Sequence, residues 1–123
     1  MNPPTQPQNS RALAEVIAQG MLAKKASSVV IMDLRDIGGA VADFFVLCTG
    51  TSDTQVEAIA DAVRKAVFEH YDERPWHSEG QTNREWVLLD YANAVAHIFR
   101  KDKRAFYSLE TLWGDAKTTE VSD

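Results

Sequence analysis

A short apolar run, Phe44–Thr49, lies near the middle of the chain and ends at Gly50. A run of this length without polar alternation is typical of a strand that is covered on both faces. Directly after it, Ser52 and Gln55 have the spacing of a capping box, whose side chains satisfy unpaired N–H groups at a helix start. A doubly covered strand that leads straight into a helix predicts an α/β fold.

Periodic apolar residues predict helices on both sides of this run. The segment Ser10–Lys25 carries apolar side chains at helical spacing, with Ser10 as the expected N-cap. The segment Ser52–His70 has a similar apolar stripe and acidic residues near its start, where they favour the helix dipole. A third helix is expected over Asp102–Trp113, with Gly114 as its terminator.

The remaining strands are predicted from β-branched and aromatic residues. Ser28–Leu34 forms one such segment. Trp86–Leu89 and Ala94–Phe99 are separated by the four residues Asp90–Asn93, a spacing that predicts a β-hairpin. Pro75–Ser78 is long enough for one further short strand after the second helix.

These elements predict a single α/β domain over residues 10–114, with a mixed β-sheet flanked by about three helices. A length of 123 residues with 45% hydrophobic residues suits one compact core. Residues 1–9 hold three of the four prolines, so we expect a disordered N-terminal tail. Residues 115–123 are small and polar, which predicts a flexible C-terminal tail.

Charge and cysteine content narrow the functional class. The formal net charge is -5 and the pI is about 5.1, so the chain repels the phosphate backbone of nucleic acids. We therefore expect basic partners and no autonomous nucleic-acid binding. The single cysteine, Cys48, cannot form an internal disulfide, which agrees with a reducing compartment. No secretory signal pattern occurs, and no apolar run approaches the roughly 20 residues of a membrane span. We therefore expect a cytoplasmic protein.

The predicted hairpin is apolar on both faces, and this leaves two alternatives open. If the helices cover only one face of the sheet, the other face is a contact surface. If they cover both, the hairpin is buried. The residues assigned to one face are Trp86, Leu88, Ala96 and Ile98. Those assigned to the other face are Val87, Leu89, Val95 and Phe99.

The side chains that could bind metal have no suitable spacing. His70, His77, His97 and Cys48 form no pair of the C-x-x-C or H-x-x-x-H type, so we expect neither a metal nor a cofactor. His97 and Cys48 lie in predicted strands, where a hydrogen-bonded histidine and a small core cysteine are the common outcomes.

The turn Gly50-Thr51-Ser52 suggests an alternative function, that of a transferase-like protein that binds a nucleotide at this turn. Free N–H groups at a helix start can hold a phosphate. Transferases of this type also need paired strand carboxylates for magnesium, whereas the acidic residues after Ser52 are dispersed around a loop. A serine-hydrolase elbow is not supported either, because the second glycine of G-x-S-x-G is missing.

The cluster Arg100–Arg104 concentrates four cations beside a predicted helix start, where they oppose the dipole. Two interpretations remain open for it. It marks a partner-binding patch, or it is a solvated connection whose exposed charges cost little.

Five motifs in fixed order resemble one known family over about Ser28 to Trp113. They are Ala42–Val46 running into Thr49–Ser52, then Glu79-Gly80, Trp86–Tyr91, His97–Phe99 and Arg104–Trp113. In these motifs the chain resembles the Iojap family, also called ribosomal silencing factors (RsfS). The family usually has Gly-Asp after the Asp-Tyr pair, where this chain has Ala92-Asn93, so the hairpin turn is a departure from the pattern.

The resemblance implies a fold similar to that of nucleotidyltransferases, without their catalytic carboxylates, and a role without enzymatic activity. Family members bind the large ribosomal subunit through ribosomal protein L-fourteen (uL-fourteen), on the face that meets the small subunit. Occupying that face blocks subunit association and represses translation under nutrient limitation. The resemblance also allows a homodimer.

The candidate contact residues match the family pattern and combine aromatic anchors with carboxylates suited to Lys or Arg. They are Glu79, Trp86, Asp90, Tyr91, Tyr107, Glu110 and Trp113. Each also has a structural alternative, since the tryptophans could be core residues, Asp90 could stabilise the turn and Glu110 could pair with a neighbouring cation. A contact role for Tyr91 or Tyr107 predicts that replacement by Ala weakens ribosome binding without unfolding the protein.

Overall fold

The computed structural model describes residues 9–40, 42–103 and 116–122. Two helices lie within these ranges, α1 (Ser10–Ala23) and α2 (Asp53–Tyr71). The helix expected over Asp102–Trp113 falls largely outside the described residues.

Six strands form one sheet in the order β3-β4-β5-β2-β1-β6. Their bounds are β1 (Ser27–Asp33), β2 (Phe44–Gly50), β3 (His77–Glu79), β4 (Trp86–Asp90), β5 (Ala94–Arg100) and β6 (Lys117–Val121). β2 and β5 run parallel, and every other neighbouring pair is antiparallel. The mixed sheet and the hairpin predicted from the sequence are therefore confirmed.

The central apolar run forms β2, and all of its residues are buried. Phe44, Val46 and Cys48 point to the side of the sheet on which α1 and α2 pack. Phe45 and Leu47 point to the opposite side. The prediction of a strand covered on both faces is confirmed.

Both described helices pack on one face of the sheet, which we call the helix face. The two helices approach each other closely at Gly20, where a Cβ atom would lie 3.0 Å from the Cα of Val63. On the other face, apolar side chains of β1, β2 and β5 are also buried, and partly buried residues of β4 and of the loop after β1 pack against them. β1, β2 and β5 are therefore buried on both faces, although both described helices lie on one of them, whereas β4 is only partly buried on the other face.

The helix caps differ in detail from the prediction. Asn9, and not Ser10, caps α1, since its side-chain oxygen accepts hydrogen bonds from the N–H groups of Arg11 and Ala12. Ser10 instead donates its hydroxyl hydrogen to Asp43, at 2.8 Å. At α2 the predicted cap is confirmed, because the Ser52 hydroxyl accepts from the N–H of Gln55 at 3.2 Å.

The C-terminal segment is not the flexible tail expected over residues 115–123. Lys117–Val121 forms β6, which pairs antiparallel with β1 from Val29↔Val121 to Asp33↔Lys117. An edge strand is held mainly by its backbone hydrogen bonds, which polar residues form as well as apolar ones. Composition alone therefore gave no signal for this strand.

The faces assigned to the hairpin also require a correction. Val87 pairs with Ile98 and Leu89 pairs with Ala96, so Ala96 and Ile98 share the helix face with Val87 and Leu89. The other face carries Trp86, Leu88, Val95 and Phe99. Strands that are apolar on both sides lack the alternation that fixes register, so the sequence did not decide between the two pairings.

The turn of the hairpin contains a non-glycine residue in the left-handed region. Ala92 has a φ of 71°, and its N–H donates to the carboxylate of Asp90 at 2.7 Å. The N–H of Tyr91 donates to the carbonyl of Ala94 and closes the turn. An alanine pays a steric penalty in this conformation that a glycine does not.

Replacing Ala92 with Gly is expected to raise the free energy of unfolding by about 1 kcal/mol, because the left-handed backbone is then unstrained. Urea unfolding measures this directly. The matched control is Gly80→Ala, at a φ of 88° where a Cβ atom would collide with the carbonyl of Trp86; it should destabilise the protein. A loss of stability in Ala92→Gly would contradict the turn geometry.

Candidate partner-binding face

Three of the candidate contact residues lie together at one end of the sheet, on the side opposite α1 and α2. Trp86, Leu88 and Asp90 alternate along β4 and share this side. Glu79 pairs with Leu88 and His77 pairs with Asp90 across the β3–β4 ladder, which places both on the same side. We call these five residues the β3–β4 face.

Trp86 is half-buried and is held by two neighbours on β5. Its indole N–H donates to Nδ1 of His97 at 2.9 Å. Its ring stacks on Phe99 with 5.3 Å between centroids and 24° between planes. The indole therefore has a defined orientation, with part of its surface open to solvent.

His97 lies beneath Trp86 and is only 3% exposed. Phe45 meets its ring edge-on, with centroids 4.5 Å apart. Burial lowers the pKa of His97 to about 3, so the imidazole is neutral at physiological pH. The prediction of a hydrogen-bonded structural histidine is confirmed.

Glu79 and His77 form the exposed edge of the β3–β4 face. Nε2 of His77 lies 2.9 Å from Oε2 of Glu79, and both side chains are more than half exposed. Because 67% of the Glu79 side chain is exposed, its carboxylate can also approach an external cation. Among the described strands, β3 lies at one edge of the sheet, with β4 as its neighbour.

Asp90 closes the face at the end of β4. One of its oxygens accepts hydrogen bonds from the N–H of Ala92 and from the indole N–H of Trp76, the latter at 3.3 Å. It therefore stabilises the turn, as the structural alternative for this residue predicted, while remaining partly exposed. Trp76 is 75% exposed and was missed in the sequence analysis, although a tryptophan directly after Pro75 and beside a short edge strand was a usable signal.

Tyr91 does not lie on this face. It is 5% exposed and belongs to the core on the helix face, and burial raises the pKa of its hydroxyl. The expectation that Tyr91→Ala spares the fold is therefore wrong, because removing a buried ring leaves a cavity. Tyr107, Glu110 and Trp113 lie outside the described residues.

A family model described as "Ribosomal silencing factor during starvation" (RsfS) matches residues 7–123. The chain belongs to the RsfS family. It is 40% identical over 113 residues to the ribosomal silencing factor RsfS of Halalkalibacterium halodurans, covering 92% of this chain and 95% of the relative. Identity to the RsfS protein of Bacillus subtilis is 35% over 113 residues, covering 92% and 94%.

Solved structures support the same fold. A crystal structure of a protein from Bacillus halodurans is 37% identical and superposes with a TM-score of 0.76, covering 90% of this chain and 99% of the other. A protein from Chromobacterium violaceum is 24% identical with a TM-score of 0.81, covering 94% and 95%. The second likeness concerns the fold alone.

In this RsfS-family chain, the N–H and hydroxyl of Thr51 and the hydroxyl of Ser52 make hydrogen bonds within the chain. The N–H and hydroxyl of Thr51 both donate to the side-chain oxygen of Gln55, at 2.6 and 2.8 Å. The amide of Gln55 donates in turn to the carbonyls of Lys24 and Lys25. Gln55 thus ties the start of α2 to the end of α1, which accounts for the polar residues of this turn without a phosphate.

The basic cluster is partly neutralised by nearby carboxylates. Arg100 donates to Asp102 at 2.7 Å and to Asp53, at the start of α2, at 2.9 Å. Lys103 lies 3.4 Å from a carboxylate oxygen of Glu85. These pairs support the interpretation of the cluster as a strand-end connection; Arg104 lies outside the described residues.

Cys48 is buried in the core, as predicted for a structural cysteine. Among the residues that the structure describes, no group of three or more His, Cys, Asp or Glu side chains is placed to hold a metal ion. Neither α1 nor α2 is both long and apolar enough to cross a membrane.

The pKa of His97 generates a prediction on stability. An unfolded histidine titrates near 6.5, so between about pH 6.5 and pH 3 the unfolded chain binds a proton that folded His97 does not. Above that pH range the free energy of unfolding includes the full contribution of neutral His97. That contribution decreases as the pH falls through the range. Between pH 7 and pH 5 the free energy of unfolding should drop by about 2 kcal/mol more in the wild type than in His97→Asn.

Urea unfolding of both proteins at a series of pH values tests this expectation. The comparison uses the pH dependence of each protein, so a lower absolute stability of the variant does not affect it. Parallel curves for the two proteins would show that His97 titrates normally in the folded state.

Proposed function

We propose that this chain is a ribosomal silencing factor that binds the large ribosomal subunit through ribosomal protein L-fourteen (uL-fourteen). In this proposal the bound chain prevents the small subunit from joining and represses translation under nutrient limitation, in the cytoplasm. Membership of the RsfS family supports the general role. The β3–β4 face is the observation that supports a protein contact of this kind.

The composition of the β3–β4 face suits a basic protein partner. Half-buried Trp86 and Leu88 offer apolar area at its centre, and Glu79 and Asp90 supply carboxylates around it. Tight interfaces commonly combine aromatic anchors in the middle with a polar rim. Lysine and arginine side chains of a ribosomal protein would meet the carboxylates while apolar groups cover the indole.

The charge of the whole chain favours the same kind of partner. A formal net charge of -5 attracts a basic surface over distance and speeds encounter. The same charge opposes contact with bare phosphate backbones. Recognition therefore depends on a protein component of the ribosome and not on its RNA.

The proposed mechanism requires no bond to form or break. Two bodies cannot occupy one surface, so the fraction of blocked subunits depends only on the concentration of the chain relative to its dissociation constant. An interface of about 800 Å² on each partner is the usual size for a specific complex, and a domain of this length can supply it.

A charge reversal on the β3–β4 face tests which surface is used. Glu79→Lys is expected to weaken binding to purified large subunits about tenfold at low salt, because it turns an attraction at the rim into a repulsion. Glu69→Lys is the matched control, since Glu69 is equally exposed on α2 and its replacement changes the net charge by the same amount. Equal effects of the two changes in a sedimentation assay would remove the β3–β4 face from the proposal.

Subunit joining tests the mechanism itself. Large subunits are first saturated with the chain, small subunits are then added, and monosomes are measured on a sucrose gradient. We expect monosomes to decrease in proportion to the bound chain, and Glu79→Lys to require a higher concentration. Normal monosome formation with the chain bound would contradict obstruction.

The nucleotide-binding alternative has its own measurement. Calorimetry with nucleoside triphosphates and magnesium is expected to give no heat of binding, because Thr51 and the Ser52 hydroxyl bond within the chain and no acidic cluster among the described residues is placed to hold magnesium. Tight, metal-dependent binding would favour a transferase-like function instead.

A further inference from the structure

The hydrogen bond between Trp86 and His97 joins a surface residue to a core residue. An indole N–H can only donate, so Nδ1 of His97 must be its acceptor. The imidazole is then the neutral tautomer with its proton on Nε2, and Nε2 has no hydrogen-bond partner among the described residues. Within the described part of the chain, only the ring nitrogen that faces Trp86 makes a hydrogen bond.

His97 has little freedom to move away from this position. Its residue pairs with Leu88 on one side and with Leu47 on the other, in the middle of the sheet. The ring is packed edge-on against Phe45 and lies parallel to Phe99, with centroids 6.3 Å apart and planes 12° apart. The acceptor for the indole is therefore fixed by the core.

Trp86 occupies a less confined position, since it begins β4 and is half-buried. A tryptophan side chain at such a position has several staggered rotamers. Only an orientation that both reaches Nδ1 of His97 and stacks on Phe99 satisfies the contacts seen here. Fixing a side chain before binding removes the entropy cost of ordering it in the complex.

We propose that His97 is a positioning residue that sets the orientation of the Trp86 indole, and with it the shape that the β3–β4 face presents to its partner. The proposal rests on the proposed function for the part that concerns binding. His97 itself does not touch the partner, because it is buried beneath Trp86.

Three substitutions separate positioning from a merely structural role. His97→Phe removes the acceptor and keeps a ring in the aromatic cluster. His97→Asn keeps an oxygen close to the position of Nδ1, and Trp86→Phe removes the donor. Binding of each variant to purified large ribosomal subunits is measured below its own unfolding temperature.

His97→Phe should weaken binding about tenfold, the size expected when one hydrogen bond that orders a contact residue is lost. His97→Asn should restore affinity to within about threefold of the wild type. In the Trp86→Phe background, His97→Phe should have no further effect, because its action passes through the indole. An equal loss in both backgrounds, or wild-type affinity of His97→Phe, would overturn the proposal.

A readout that does not involve the ribosome separates this proposal from the proposed function. The indole N–H of Trp86 gives one ¹⁵N–¹H resonance, assigned by its absence in Trp86→Phe. We expect it to exchange slowly with solvent in the wild type and in His97→Asn, and quickly in His97→Phe. If exchange is unchanged in His97→Phe, the positioning role is overturned. If exchange is slow in the wild type but the wild-type chain does not sediment with large subunits, only the proposed function is overturned.

Discussion

Phe44 to Gly50 of β2 pair in parallel, without a break, with Ala94 to Arg100 of β5. A parallel pair needs a crossover of on the order of a dozen residues or more, and here the crossover contains α2, β3 and β4. β4 then returns beside β5, and β1 with β6 extends the other side of β2. β4 and β1 thus flank the central pair, and β3 and β6 lie outside them at the edges of the described sheet.

Burial of the central strands on both faces also explains the aromatic cluster. A polar side chain in such a strand must find a hydrogen-bond partner or remain neutral. His97 does both, since burial depresses its pKa and Nδ1 accepts from Trp86. The core tolerates His97 because its ring is neutral and is bonded to the surface indole.

Some elements of this fold could be predicted from short sequence patterns alone. The unbroken apolar run and the Ser52 cap predicted β2 and α2, and the spacing between β4 and β5 predicted their hairpin. The register of that hairpin and the existence of β6 were not predictable, because local composition fixes neither of them; β6 in addition pairs with β1, which is distant in sequence. Apolar residues on both faces of β4 and β5 hid the register, and the polar composition of Lys117–Val121 resembled that of a tail.

The candidate site was predictable to a similar extent and for related reasons. Glu79, Trp86, Asp90 and Tyr91 were all chosen from the family pattern, which does not say on which side of the sheet a residue lies. Glu79, Trp86 and Asp90 share one side because β4 alternates and β3 pairs with it, whereas Tyr91 continues the alternation of Val87 and Leu89 and lies in the core on the helix face.

A factor that acts by obstruction gains affinity when its contact surface is rigid before binding, since less entropy is lost in the complex. The backbone hydrogen bonds of the sheet make the β3–β4 face rigid. The hydrogen bond from the half-buried indole to the core also fixes the side chain that an apolar group of the partner would cover. Exposed carboxylates at the edge of the same face add charge complementarity, which needs less exact positioning because it acts over longer distances. The β3–β4 face combines a fixed apolar centre with an acidic rim. The apolar centre lies next to the buried middle of the sheet, and the carboxylates lie toward its open edge.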